Sequence, residues 1–441
     1  MKLSVIGAGY LGAVHAACMV HLGHDVVAIE ANQERVEALQ SGQAPIYEPG
    51  LDAILSSGLQ SGRLLFTSDY AAAASAAVHF ICVGTPQLPG ANAADTTHVF
   101  SAVQALAAHL RTPALVVGKS TVPVGTARRV KQLLHAHAPA GEDVGVAWNP
   151  EFLREGFAVE DTLRPDRLVY GVDGDRSQGN VDQLDEVYGA ALSTGTPRIV
   201  TDLATAELVK VAANAFLATK ISFINAMAEV CEVAGGDVVT LADAIGYDAR
   251  IGRRFLNAGV GFGGGCLPKD IRAFMARAGE LGAMEALTFL REVDTINLRR
   301  RARTVDLARE ECGGSVEGRR VAVLGAAFKP NSDDIRDSPA LDVARSLHME
   351  GAEVVVHDPK ALHVARFHYP ELKYEEFVEA ALRQADIVLH LTEWDEYRQL
   401  DPAQVRELVA TPTIIDGRNA LSSEDWASAG WTYRALGRAA H

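Results

Sequence analysis

The first thirty residues constrain the fold more than any other stretch. Residues 2–6 form a short apolar run that reads as a buried strand. It runs into Gly7-Ala8-Gly9-Tyr10-Leu11-Gly12, then a helical run over 13–22, a stop at Gly23, and a second strand over 25–29 that ends at Glu30. Strand, glycine turn, helix, strand and acid in this order make a dinucleotide-binding unit, which commits the chain to an open parallel sheet. The glycines allow a tight turn and close approach of a pyrophosphate, and the helix N-terminus faces the phosphates. A carboxylate at Glu30 accepts from ribose hydroxyls and repels a 2′-phosphate, so NAD is expected rather than NADP, with Arg35 close to the adenosine end.

The alternation continues along the chain. Predicted strands over 78–83, 114–118 and 144–147 open onto Gly84-Thr85-Pro86, Lys119-Ser120-Thr121-Val122-Pro123-Val124-Gly125 and Trp148-Asn149-Pro150-Glu151-Phe152-Leu153-Arg154-Glu155. Ligands of open parallel sheets bind at the carboxyl ends of strands. Three polar clusters at successive ends therefore read as one binding edge rather than as three ordinary caps. At 441 residues the chain is too long for a single core, and the pattern changes near residue 203. Residues 206–234 contain no proline or glycine and predict one long helix. Lys210 and Asn214 lie one turn apart on it; the pattern leaves open whether Lys210 snorkels to water or points into a polar site. A second helical run over 283–312 carries Arg299-Arg300-Arg301, expected to be a solvated face. After Cys312-Gly313-Gly314-Ser315 a second α/β unit begins, with strands over 320–324, 353–357, 386–391 and 413–415. It has one turn glycine, Gly325, where the first unit has three, and so is expected to hold something other than a pyrophosphate. Lys329, Arg336 and Arg418 follow its strands and offer positive charge. The expected organisation is an α/β chain of two doubly wound Rossmann-like domains, 1–202 and 317–441, joined by a long central helix and helical region at 203–312.

Between the helical runs lies Gly261-Phe262-Gly263-Gly264-Gly265-Cys266-Leu267-Pro268-Lys269-Asp270, followed by a helix predicted over 271–281. Four glycines and one cysteine fit a nucleophile at the edge of a ligand cradle, or a buried structural thiol in a glycine-rich loop; this stretch alone leaves both open. Composition narrows the classes. A net charge of −15 argues against nonspecific nucleic-acid or anionic-membrane binding and requires local cations for any anionic substrate. No apolar run reaches the ~18 residues of a membrane helix, and the N-terminus shows no cleavage pattern. The five cysteines form no Cys-x-x-Cys pair, which fits a reduced, cytoplasmic compartment without a structural metal. His135 and His137 read as a solvated helix end.

A dinucleotide domain, a cysteine in a glycine loop and a cation-bearing second domain suggest oxidation of an anionic metabolite. A thiol is informative, because an oxidation that proceeds to the acid can use a thiohemiacetal and then a thioester. Residues 7–12, 119–125, 149–155, 210–220, 261–270 and 328–339, in this order, resemble the nucleotide-sugar (UDP-glucose/GDP-mannose) dehydrogenase family over nearly the whole chain. The resemblance implies four-electron oxidation of UDP-glucose by two NAD. It implies Cys266 as nucleophile, Asp270 and Thr121 positioning a water, Lys210 and Asn214 stabilising an oxyanion, and Glu151 assisting hydrolysis. Gly7, Gly9, Tyr10, Leu11, Gly12, Glu30, Arg35, Thr85, Thr121, Glu155, Lys269 and Arg336 would contact NAD. The substrate would lie along Glu151, Phe152, Leu153, Arg154 and Glu155, along Phe255, Leu256, Asn257, Ala258 and Gly259, and at Lys210, Asn214 and Gly263, with Lys329 and Arg418 on the sugar nucleotide. Arg250 would reach the substrate of a partner subunit, implying a homodimer built on the long helix. The chain departs from the family pattern at Glu30 (usually aspartate), Gly265 (commonly serine), Leu267 (commonly phenylalanine) and Asn257 (lysine in some relatives). GDP-mannose is the alternative substrate. A two-electron hydroxyacid dehydrogenase and a non-catalytic NAD-binding regulator are the alternative functions.

Overall fold

The computed structural model describes residues 1–174 and 177–438. Two compact units are present: Met1–Ala213 with Arg272–Gly282, and Asn214–Ile271 with Ala283–His441. The first is built on an eight-stranded sheet of β1 (Lys2–Ile6), β2 (Asp25–Ile29), β3 (Leu64–Thr67), β4 (Val78–Ile81), β5 (Ala114–Gly118), β6 (Val144–Trp148), β7 (Leu168–Val172) and β8 (Arg198–Thr201), in the order β3-β2-β1-β4-β5-β6-β7-β8. Only the β6–β7 pair is antiparallel. β4, β5, β6 and β7 are buried along their whole length, as parallel strands covered on both faces must be. Each buried Val or Leu contributes about 1.5–3 kcal/mol.

The second unit carries β9 (Arg320–Leu324), β10 (Glu353–His357), β11 (Lys373–Tyr374), β12 (Ile387–His390), β13 (Thr413–Asp416) and β14 (Thr432–Ala435), all parallel, in the order β11-β10-β9-β12-β13-β14. This repeats the first six positions of the other sheet. The repeat extends to the turns: Gly7 N–H donates to Ile29 O, and Gly325 N–H to His357 O, both at 2.8 Å. The acids that follow differ in use. Asp358 accepts from Ala326 N and Ala327 N through Oδ2 and from Lys360 N and Ala361 N through Oδ1. Its two oxygens accept four backbone N–H groups and hold the glycine turn to the end of β10. The expected pair of Rossmann-like domains and the long helix, Leu203–Ala234, are therefore both present.

Three expectations change. The helix predicted over 271–281 runs Leu267–Glu280 and so begins directly after Cys266; Pro268 is tolerated in its first turn, where its missing N–H has no intrahelical partner. Arg299-Arg300-Arg301 is not a solvated face. Arg300 is fully buried and pairs with Glu232 at 3.1 Å, and Arg301 is buried and pairs with Asp337 at 2.8 Å. Consecutive helical residues point about 100° apart, so three in a row cannot share one exposed side. Finally, although no single apolar run is long, Leu203–Ala234 as a whole is long and apolar enough to cross a membrane. Its Glu207, Lys210, Asn214, Ser222 and Asn225 are buried against protein partners.

Candidate active site

In the first unit the glycine turn is shaped for a dinucleotide. Gly7 has φ +92°, and a Cβ there would meet Val83 Cγ1 at 2.8 Å, so a side chain is excluded on both counts. Helix Tyr10–His21 has Gly9 at its N-cap and no side-chain cap. A Cβ on Gly9 would project into open space, leaving the first-turn N–H groups room for a pyrophosphate, with Leu11 and Gly12 in the same turn. Glu30, at the end of β2, is buried; it accepts from Ala8 N and Asn32 N at 3.0 Å and pairs with Arg35 at 3.3 Å. NAD therefore fits this edge. Tyr10 OH donates to Glu48 at 2.8 Å, and Glu48 also accepts from Gly156 N and Ala158 N at 2.7 Å. Glu48 was not read from the sequence; it ties the glycine helix to the loop holding the buried Glu155.

At the ends of β4, β5 and β6 the predicted residues converge. Thr85 Oγ1 donates to Thr121 O at 2.7 Å. Glu207 accepts from Gly125 N and Ala127 N at 2.7 and 2.6 Å, bracing the loop that carries Thr121; burial pushes its carboxyl up to about 7. Lys210 is buried and its ammonium lies 3.0 Å from Glu151, so it does not snorkel. Glu151 also accepts from Leu153 N at 2.6 Å, and the Lys210 ammonium lies 5.8 Å from the Phe152 ring centroid. Arg154 is turned to Asp161 at 2.7 Å.

In the second unit Cys266 is exposed, so the buried structural thiol is not what this loop holds. Gly264 has φ +85°, and a Cβ there would strike the Phe328 ring at 2.7 Å; only glycine lets the loop lie this close. The Phe262 carbonyl accepts from Arg301 and from Asn297, and Gly264 N–H donates to Arg336 O. One turn beyond Cys266, Asp270 is 2% exposed and held at both oxygens, by Lys269 at 2.6 Å and by Asn214 Nδ2 at 2.7 Å. Arg418 is tied to the backbone carbonyls of Gly261, Phe328 and Leu391 and to Glu393, so it locks the loop to the ends of the second sheet. Lys329 lies 5.2 Å from the Phe328 ring centroid, and Arg336 pairs with Asp334 at 2.6 Å. Phe255 is at φ +65°, a strained value for an aromatic residue, beside buried Leu256 and Ala258. Gly259 N–H donates to Asn225, and Asn257 accepts from Arg253. Gly263 lies against Pro339, where a Cβ would sit 2.8 Å from its ring. Arg250 is 89% exposed and paired with Asp248. Among the described residues no group of three or more His, Cys, Asp or Glu could hold a metal.

Comparison with known proteins covers the whole chain. Family models of the UDP-glucose/GDP-mannose dehydrogenase family match in three parts: the NAD binding domain at residues 1–192, the central domain at 204–299 and the UDP binding domain at 322–423. A UDP-glucose 6-dehydrogenase of Rhizobium meliloti is 42% identical over 99% of this chain and 100% of its own length. The UDP-glucose 6-dehydrogenase TuaD of Bacillus subtilis is 40% identical over 100% of this chain and 94% of its own. A solved UDP-glucose dehydrogenase from Pyrobaculum islandicum superimposes with a TM-score of 0.90 at 40% identity, covering 99% of this chain and 98% of that one.

Proposed function

The chain belongs to the UDP-glucose/GDP-mannose dehydrogenase family, and from that membership we propose that it oxidises UDP-glucose to UDP-glucuronate through a covalent thioester on Cys266. The observation that carries this reading is an exposed cysteine in a glycine loop, one helical turn before a carboxylate held by an amide and an ammonium. Bound NAD supplies a hydride acceptor, used twice. In the first oxidation C6 loses a hydride and its hydroxyl a proton, giving the aldehyde. The Cys266 sulfur adds to that carbonyl carbon, and Lys210 and Asn214 donate to the oxygen, which gains charge. Loss of a second hydride and the thiohemiacetal proton leaves a thioester. Water, positioned by Asp270 and Thr121 and assisted by Glu151, adds to the acyl carbon, and the carbon–sulfur bond breaks to free the carboxylate. The sum is UDP-glucose, two NAD+ and one water to UDP-glucuronate, two NADH and three protons.

The uridine diphosphate is read onto Lys329, Arg418 and residues 255–259, and the cofactor onto the glycine turn, Glu30, Arg35, Thr85, Glu155, Lys269 and Arg336. A homodimer accords with Phe216, Phe223 and Val230, which are exposed and spaced seven residues apart on the long helix, a stripe typical of helix pairing; the exposed Arg250 is read as reaching the partner's substrate. Product analysis tests the substrate. Incubation with UDP-glucose and NAD+ should yield UDP-glucuronate and two NADH, whereas one NADH and a stable aldehyde, or faster turnover of GDP-mannose, would overturn the reading. Glu30 tests the cofactor edge. Wild type should use NADP poorly, and Glu30→Ala should narrow the NAD/NADP gap, mainly by weakening NAD. Equal use of both cofactors by the wild type would remove this role for Glu30.

A further inference from the structure

Lys119 is a buried cation that none of the steps above employs. It stands directly after β5, only 6% exposed. Its three ammonium protons are consumed: Asn149 Oδ1 accepts at 3.0 Å, Tyr188 OH at 3.2 Å and the Asn149 carbonyl at 3.5 Å. Tyr188 OH in turn donates to Asn149 Oδ1 at 2.7 Å, and Asn149 Nδ2 donates to Val169 O at 2.9 Å. Every polar atom of the Asn149 side chain is thereby fixed. Asn149 directly follows β6 and leads through Pro150 into Glu151, so the network anchors the segment that carries Glu151.

The same lysine meets Glu151 a second way. A cavity of about 50 Å³ is lined by His15, Lys119, Asn149, Glu151, Arg167 and Tyr188. This is room for a few waters in a polar setting, and His15 Nε2 is buried without a hydrogen-bond partner. Two lysines thus bear on Glu151: Lys210 by direct contact and Lys119 from the cavity wall. Burial, aided by the repulsion of Lys210, lowers the Lys119 ammonium to about 8, against the opposing influence of Cys82 and Glu151. A buried ammonium is costly, and packing alone would be served by an apolar side chain of the same length.

We propose that Lys119 is a positioning residue for thioester hydrolysis: it anchors the segment after β6 that presents Glu151 and faces that carboxylate across the cavity. The proposal rests on the reading of Glu151 as the group that assists hydrolysis. It predicts a defect confined to one step. With UDP-glucose and NAD+ in excess, Lys119→Met should form NADH in a rapid first phase at a rate close to wild type. Hydrolysis should then be slower by about 10-fold to 100-fold, the scale of a displaced catalytic group. Intact-mass spectrometry should find the sugar nucleotide accumulated on the enzyme, and affinity for NAD should be unchanged. Lys119→Arg, which keeps the charge and the donors, should recover part of the rate. The double variant Lys119→Met/Glu151→Gln should hydrolyse no more slowly than Glu151→Gln alone, because both changes act through one carboxylate. Should Lys119→Met fail to fold, Tyr188→Phe removes one partner of the ammonium with little change in volume and should slow the same step less. Wild-type hydrolysis in the folded variant, or a loss shared equally by NAD binding, hydride transfer and hydrolysis, overturns the proposal. If Glu151→Gln itself hydrolyses at the wild-type rate, the role of Glu151 fails first, and the proposal falls with it on a separate observation.

Discussion

Cys266→Ser is expected to fold, bind NAD and UDP-glucose, and fail to complete four-electron turnover. The side chain is exposed, and Arg301, Asn297 and Arg418 hold the loop before it through the carbonyls of Phe262 and Gly261, contacts that the substitution leaves intact. The chemistry changes more. A thiol is a few per cent thiolate at neutral pH and strongly nucleophilic, whereas a serine hydroxyl needs a dedicated base. An ester, once formed, also hydrolyses less readily than a thioester. Removing a nucleophile of this kind lowers turnover by about 10⁴-fold or more. Wild type should release two NADH per UDP-glucose; the serine variant should release UDP-glucuronate at a barely measurable rate. Its intact mass after exposure to substrate and NAD+ should show either an unmodified protein or an added sugar nucleotide that persists. A serine variant that produces UDP-glucuronate at the wild-type rate would show that the thiol, and with it the thioester, is not needed.

Much of this site is legible in the sequence because its chemistry lives on backbone-dictated positions. Gly7 and Gly264 stand where a Cβ would meet Val83 or strike Phe328, while a Cβ on Gly9 would enter the open space before the helix N-terminus, and glycine at such places is a visible mark. The strands opening onto 84–86, 119–125 and 149–155 were visible as apolar runs that end in polar clusters. What escaped were partners contributed from a distance. Glu48 lies 108 residues from the Gly156 N–H it holds, and Glu207 lies 82 from Gly125; a lone glutamate, in a loop like Glu48 or on a helix like Glu207, looks solvated until the fold closes over it. Lys119 belongs to a polar cluster visible in the sequence, yet its burial depends on Tyr188 and Asn149 arriving from other elements. The strands β7 and β8 are not legible locally because Leu168–Val172 follows the charged segment Arg164-Pro165-Asp166-Arg167 and the four-residue Arg198–Thr201 is exposed along most of its length, so their pairing is settled by the sheet rather than by local pattern. The arginine triplet shows the converse error, since its charges look exposed in sequence while Arg300 and Arg301 are consumed by ion pairs inside the unit.

Lys210→Ala is expected to lower turnover by about 10²–10³-fold, the usual loss when a preorganised oxyanion donor is removed. The structure makes this a sharper statement than the sequence allowed, because Lys210 is 5% exposed and its ammonium is spent on Glu151 at 3.0 Å rather than on water. Truncation has two consequences that must be told apart. It deletes a positive charge that would face the developing oxyanion, and it leaves Glu151 without its buried counter-ion, which lowers stability. Pairing the change with Glu151→Gln separates them. The double variant should recover the melting temperature lost by Lys210→Ala, since no uncompensated carboxylate remains, but it should not recover turnover, since neither the donor nor the carboxylate is restored. NAD binding, read by fluorescence titration, should stay near wild type in both, because the cofactor edge at Gly7, Gly9 and Glu30 is built from other elements. Lys210→Ala that melts like the wild type and turns over like it would leave the lysine no role in either packing or rate. Loss of stability with unchanged turnover per folded molecule would mean that the ion pair serves the fold alone, and the oxyanion would then have to be stabilised by Asn214 without help from this helix turn.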